Sequence, residues 1–474
     1  MDRLTIAGIL SELQLSPSEG GFGITDAEAG ILSSIFVFTY MLLSPVFGFL
    51  GDRVPRKIIM AVGVLVWAVS TMLCSFASSY SELLVFRSMV GFGEASYATI
   101  APTLIADFYP VEQRATALAF YFTATPLGSA LGYLVAGEMA YLFSWRWAFR
   151  VTPPLAILFT MILFFFAEEP PRGATEVVPV SMNDEAEDDP VDGDKLSLRD
   201  FLTDLRLIWA IRSFAYSTFA FTAITFISGA LSGWGPAFLQ RVNCTDATDA
   251  GRCKSEINYK FGIIGSITGV AGTLIGAVLS QRYSRATSNS DPIICGVGLL
   301  AAAPFIYLAI FLPQISMLYT WASIFLAELF IGFTWAPTTA MLLYVTLPTQ
   351  RSFAAGIQTL TSHLLGDALS PIFVGWLADN LYFNNDDLTR GRALQYALYP
   401  SSAFAIIGAI FFGISAKYVV GDRRMVEIQE HEQIGSAGVL PEPSEAYFGQ
   451  QNTSQELTER PMPKDRETSP SPAL

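Results

Sequence analysis

Charge is what this chain lacks. Only 15% of its 474 residues are Asp, Glu, Lys or Arg, whereas 52% are hydrophobic. A water-soluble chain carries about 25% charged residues. Histidine is nearly absent, with two residues. The one inside an apolar run, His363, has no partners at metal-ligand spacing. No nucleophile–base pair stands out either, so neither an enzyme nor a metal or other cofactor is expected. No basic stretch suits nucleic acid. No basic start followed by an apolar core marks a signal peptide. Cysteine is scarce too. Cys74 and Cys295 fall in apolar runs and read as inert packing residues. Cys244 and Cys253 lie in a polar stretch beside the sequon Asn243-Cys244-Thr245. That combination predicts a disulfide and a glycan on Asn243, in an oxidising lumenal or extracellular loop. A second sequon, Asn452-Thr453-Ser454, then falls on the cytosolic side, where it stays unused.

What the chain has in plenty is apolar runs. Eleven of them, at about 27–50, 58–78, 82–106, 114–137, 147–167, 207–238, 259–280, 292–312, 316–346, 352–378 and 394–417, are each long enough for the roughly 30 Å hydrocarbon core of a bilayer. Backbone groups find no water there, so each run must be a helix. Residues Met1 to Glu12 are too short to cross alone and read as the outer end of a further helix. The fold class is therefore an all-α membrane protein.

The net charge of −14 says little about partners, because of where it sits. Glu168 to Asp194 hold ten acids and one base, and Gly421 to Leu474 hold ten acids and five bases. These two segments supply the whole −14, which leaves the membrane region neutral. Both are polar and poor in aliphatics, so they read as disordered. The resulting domains are an N-terminal half-bundle at 1–167, an acidic linker at 168–206, a C-terminal half-bundle at 207–417 and a disordered tail at 418–474.

An internal repeat supports the division. Gln113-Arg114 precedes Gly128-Ser129-Ala130-Leu131-Gly132 by fourteen residues, and Gln350-Arg351 precedes Gly366-Asp367-Ala368-Leu369-Ser370 by fifteen. Parallel six-helix halves of this kind occur in transporters. Arg53, Arg56, Lys57, Arg114, Arg282, Arg285, Arg351, Arg423 and Arg424 fall on one side, taken as cytosolic. Arg146, Arg241, Arg252, Lys254, Arg390 and Arg392 fall on the other.

Three groups of residues carry candidate chemistry. In Gly48-Phe49-Leu50-Gly51-Asp52-Arg53-Val54-Pro55-Arg56-Lys57 a helix ends in a tight turn. Gly48 permits close helix contact, Asp52 can latch an Arg across the interface, and Arg53, Arg56 and Lys57 can hold anionic headgroups. With Arg114 these are the candidate gating residues. Charges inside spans are costly and usually functional. Arg87 and Glu94 are two turns apart on one face, about 10 Å along the axis, with Gly91 between them. Asp2 and Arg3 sit on the first stub. A carboxylate beside a buried Arg releases it on protonation, which can couple a proton to a change of shape. His363 and Asp367, four apart, share a helix face. With Arg3, Tyr97 and Trp335 they are candidate cavity residues. Trp234 is a further aromatic candidate, and Glu328 is a weaker one.

Asp2-Arg3-Leu4-Thr5-Ile6-Ala7-Gly8, Gly48 to Lys57, Gly91 to Tyr97, Ala101 to Asp107, Glu169 to Ala174 and Ser362 to Asp367 together resemble the spinster family of the major facilitator superfamily. Pro55 stands where Gly is usual. The resemblance implies the major facilitator fold, with two six-helix half-bundles, eleven full spans and a first-helix stub. It implies a proton-linked exporter of lysophospholipid or sphingosine-1-phosphate, with Asp2, Arg87 and Glu94 in the proton-linked switch. Its phosphate-bearing head would meet Arg87 or neighbouring polar groups. A monomer in a lysosomal or late endosomal membrane, or alternatively the plasma membrane, is expected. Other organic-anion export is a second reading. The family also has most of a first helix before the Asp-Arg pair. The expectation is therefore either a gene start placed at an internal Met or a shortened, non-transporting regulator.

Overall fold

A computed structural model describes residues 2–51, 54–109, 111–166, 198–244, 249–284, 287–347, 350–384 and 388–436. Helices and short turns make up the described residues, with no strand among them. Residues to Arg424 form one compact unit. Those from Met425 form a second, of which the helical end to Ser436 is described.

The N-terminal half contains α1 (Asp2–Leu13), α2 (Asp26–Gly51), α3 (Arg56–Cys74), α4 (Tyr80–Phe108), α5 (Val111–Leu142) and α6 (Thr152–Phe166). After the linker come α7 (Leu198–Ala210), α8 (Arg212–Asn243), α9 (Ala250–Ser284), α10 (Ser290–Phe311), α11 (Met317–Gly332), α12 (Trp335–Val345), α13 (Arg351–Leu365), α14 (Leu369–Phe383), α15 (Arg390–Leu398) and α16 (Pro400–Ser436). Among the described residues, eight stretches are long and apolar enough to cross a membrane. The crossing helix α4 falls outside that set because it carries Arg87 and Glu94, and α13 because the break at Gly366 leaves it only 15 residues long. Leu318 and Phe165 are 75% and 70% exposed, as expected for surfaces solvated by lipid rather than water.

Several spans are broken where one continuous helix was expected. The run 316–346 divides at Phe333–Thr334, just before Pro337. A proline there has no N–H for the carbonyl four residues back. The run 352–378 divides at Gly366, before Pro371. Thr225 of α8 packs against Gly366 so closely that a side chain there would collide with it. The Ser362 carbonyl accepts both the Gly366 N–H at 2.8 Å and the Thr225 hydroxyl at 2.6 Å, which ties α8 to the break. His363 and Asp367 thus flank a helix break instead of sharing one continuous helix.

Two boundaries need correction. The disordered tail was expected from 418, but α16 continues to Ser436. Its extension is rich in Arg, Met, Glu and Gln, which favour helix, and meets no proline before Pro441. The linker was expected to reach 206, but α7 begins at Leu198. There Leu198, Phe201, Leu202, Leu205, Ile208 and Trp209 recur at helical spacing, and the Trp209 ring rests against Phe214 and Phe219. The more acidic stretch at 168–194 lies outside the described residues.

The halves meet along several helix pairs. α5 and α9 run antiparallel, with Ser266 donating to the Pro126 carbonyl at 2.8 Å and Ser255 to Glu138 at 2.7 Å. α2 and α14 are also antiparallel. Gly30 lies against the Pro371 backbone and Gly375 against the Asp26 backbone, an approach that any side chain would prevent. α1 packs in the seam against α5 and α8. These contacts run from mid-seam to the end of the bundle that carries Cys244 and Cys253.

Candidate functional site

The centre of the seam is built on α1. Successive residues of a helix point about 100° apart, so Asp2 and Arg3 face different neighbours. Asp2 turns into the N-terminal half and accepts from Arg87 Nη1 at 2.9 Å. The Arg87 side chain is fully buried and that of Asp2 is 3% exposed. The Arg87 guanidinium also lies over the Phe36 ring, 5.3 Å from its centroid. Arg3 turns the other way and pairs with Asp367 at the α13–α14 break. Asp367 is also met by His363 Nδ1 at 3.1 Å. One turn of α1 therefore holds an ion pair within its own half and another across the seam.

Glu94, half-buried on α4, completes the cluster. The charges acting on it come from Arg3, Asp2 and Arg87. Tyr40, Tyr97 and Tyr121 lie within its electrostatic reach. On the opposite wall Trp335 meets Phe221 edge-on at 5.3 Å, and Phe221 meets His363 at 6.4 Å. The seam thus gathers Asp2, Arg3, Arg87, Glu94, His363 and Asp367, with Tyr97 lying beside Glu94 and Trp335 reaching His363 through Phe221. It does not leave Arg87 open to a headgroup, because Asp2 and Phe36 cover it. The partly exposed cation is Arg3, whose side chain is 44% accessible. Trp234 borders neither of the two cavities described below. It is wholly buried, and its indole donates to the Pro371 carbonyl at 3.0 Å.

The gating motif is described only in part. A Cβ added at Gly48 would meet Thr99 at ordinary van der Waals distance, so no close helix approach requires glycine there, and Arg56 is buried. The Lys57 ammonium rests over Phe164 of the same half at 5.2 Å. Asp52, Arg53 and the Arg114 side chain lie outside the described residues.

A second polar cluster closes the disulfide-bearing end, and sequence reasoning missed it. Asp26, at the start of α2, pairs with Arg241 of α8 and accepts from Gln14 at 2.5 Å. Arg241 Nη2 donates to the Gln14 side-chain oxygen Oε1 at 2.6 Å. From α14, the Asp379 carboxylate accepts the backbone N–H groups of Asp26 and Ala27 at 3.1 and 2.7 Å. It thereby caps a helix of the opposite half. Lys254 pairs with Glu12 at 2.7 Å, and Ser11, Gln240, Asn258 and the Gly8 carbonyl form a hydrogen-bonded chain. Above this layer lies a cavity of about 680 Å³ bordered by Arg241, Lys254, Arg390 and Arg392. Cys244 and Cys253 are bonded to each other, with Cα atoms 5.7 Å apart. Asn243 ends α8, and its side-chain nitrogen, the atom a glycan would occupy, donates to the Leu239 carbonyl at 3.0 Å. The only available sequence signal for this cluster was the unusual density of Asp, Arg, Lys and Gln at the ends of the apolar runs.

Residues 1–371 match the family described as the Major Facilitator Superfamily. Spinster homolog 1 of Xenopus laevis is 39% identical over 450 residues, covering 93% of this chain and 81% of that protein. Human spinster homolog 1 is 37% identical, covering 92% and 82%. Drosophila melanogaster spinster is 34% identical, covering 89% and 75%. In fold, the chain is similar to the crystal structure of a bacterial homolog of the human lysosomal transporter Spinster, in an inward-facing and unoccupied conformation. That likeness has a TM-score of 0.73 at 22% identity and covers 89% of this chain and 95% of the other. Two half-bundles joined across a charged seam, with relatives matched over nearly the whole length, place this chain in the spinster branch of the Major Facilitator Superfamily, as a multi-pass membrane transporter and not an enzyme.

Proposed function

We propose that this transporter exports a lysophospholipid or a related single-chain lipid by alternating access, linked to protons through Asp2, Arg87 and Glu94. The carrying observation is that Asp2 and Arg3, adjacent on α1, engage Arg87 in one half and Asp367 in the other. Protonating Asp2 or Glu94 removes negative charge from beside Arg3 and Arg87. The helix that holds the cross-seam pair then feels the change directly. Arg3 is the accessible cation for a phosphate head, and Trp335, Phe221 and Tyr97 offer apolar and aromatic surface for the rest. The charged end closed by Asp26, Arg241 and Asp379 supports an inward-facing reading, with the disulfide loop outside. The description of human Spinster as a lysosomal transporter supports a lysosomal membrane for this chain, with the late endosome as a related location, and the chain is read as a monomer. Sphingosine-1-phosphate, which shares a phosphate and a single chain, is the alternative cargo.

The test is lysophospholipid flux in proteoliposomes under an imposed pH gradient. Wild-type protein should move lipid faster with the gradient than without it, and Glu94→Gln should abolish that difference. Equal dependence on the gradient in both proteins sinks the proton linkage, and absence of flux in wild type sinks the cargo.

A further inference from the structure

One half-buried carboxylate takes no part in the seam described above. Glu328 lies on α11, and its Oε2 is 2.8 Å from the Thr268 hydroxyl of α9. That hydroxyl has one proton and a second acceptor, the Ile264 carbonyl, also at 2.8 Å. The carboxylate is therefore poorly supplied with donors. No cation pairs with it among the described residues, whereas each buried carboxylate of the seam cluster has an Arg in reach. A lone ionised carboxylate in apolar surroundings is costly unless something positive joins it.

Glu328 borders a cavity of about 40 Å³ whose other walls are apolar, among them Leu231, Phe238 and Phe261. Phe261 meets Tyr133 of α5 edge-on at 5.6 Å, so the cavity adjoins the seam. Tyr133 in turn lies within electrostatic reach of both Glu328 and Arg3. The cavity has room for at least one water-sized group, which suits –NH₃⁺, and a trimethylammonium has no N–H to give the carboxylate.

We propose that Glu328 is the anionic pole of a second subsite, which takes the primary ammonium of a single-chain amphiphile. This rests on the lipid-export reading and extends it to the head of the cargo. Two sources share the chemistry: a sphingoid amine and a phosphoethanolamine head.

The test is equilibrium binding to the purified full-length chain in nanodiscs, with sphingosine, lysophosphatidylethanolamine, lysophosphatidylcholine and lysophosphatidic acid of matched chain. A charge-assisted hydrogen bond predicts that the amine-bearing lipids bind about tenfold tighter than their counterparts. Glu328→Gln should erase that preference, while Thr268→Ala, which keeps the carboxylate, should retain it. Loss for sphingosine alone identifies the sphingoid amine as ligand, and loss for lysophosphatidylethanolamine alone identifies the phosphoethanolamine head. No amine preference in wild type, or the same preference in Glu328→Gln, overturns the subsite. If Glu328→Gln does not fold, Ala309→Leu, which fills the cavity and keeps the carboxylate, takes its place: it should erase the preference, and an unchanged preference overturns the subsite. Amine-selective binding without lipid flux would instead leave the subsite standing and count against the transport reading.

Discussion

Asp2 and Arg3 are neighbours on α1 yet bind opposite halves of the protein, Asp2 to Arg87 and Arg3 to Asp367. The first pair is buried, so removing one partner strands the other charge. Asp2→Ala should destabilise the protein by about 3–5 kcal/mol, the usual cost of an unpaired buried charge. The double replacement Asp2→Leu/Arg87→Met should recover most of this loss, because it strands nothing. Thermal unfolding of the purified variants measures both. A single variant as stable as wild type would mean that the pair does not form in the membrane.

Arg3 and Asp367 form a different kind of pair, with one side chain 44% exposed and the other 5%. Its value lies in joining the halves rather than in stability. Asp367→Asn should leave the melting temperature within a few degrees of wild type while lowering lipid flux severalfold. The exchange Arg3→Asp/Asp367→Arg should restore part of the flux. Flux that is equally low in the single and exchanged variants would assign the two residues to separate roles.

Much of this arrangement was legible in the sequence, for a physical reason. A charge inside an apolar run is expensive enough to advertise itself, so Asp2, Arg87, Glu94 and Asp367 stood out before any fold was known. The apolar runs likewise gave the helices, since lipid permits little else. Two features were hidden. Helix breaks at Phe333 and Gly366 depend on Pro337, on Pro371 and on Thr225 pressing from another helix, which the local hydrophobic pattern does not show. The closure by Asp26, Arg241 and Asp379 draws on residues 353 positions apart at the polar ends of helices, where charge is cheap and therefore uninformative singly.

The Cys244–Cys253 bond closes a short loop of nine-residue separation at the end of α8. Chain-entropy reasoning gives such a loop about 2–3 kcal/mol. Cys253→Ser should therefore lower the melting temperature by several degrees, and a reducing agent should lower that of wild type equally. The reducing agent should leave Cys253→Ser itself unaffected. A wild-type melt indifferent to reduction would show that the bond contributes nothing to the folded state.

Asp379 offers the sharpest probe of how the halves separate. Its carboxylate caps α2 from the other half through the N–H groups of Asp26 and Ala27. Those donors have no intrahelical acceptor, so the cap stabilises α2 only while this end stays closed. A capping carboxylate contributes about 0.5–2 kcal/mol, and removing it biases the equilibrium towards opening by that amount. Asp379→Ala should therefore speed the reaction of a Cys placed at Thr5, fully buried on α1 beneath the clasp, with a membrane-impermeant maleimide by about two- to thirtyfold. Asp26→Ala, which releases Arg241 and Gln14 while leaving the Asp379 cap in place, should also speed labelling. The two together should exceed either alone, since they remove separate contacts between the halves. Unchanged labelling in Asp379→Ala would show that the cap only orders the start of α2 and has no part in setting which end is open.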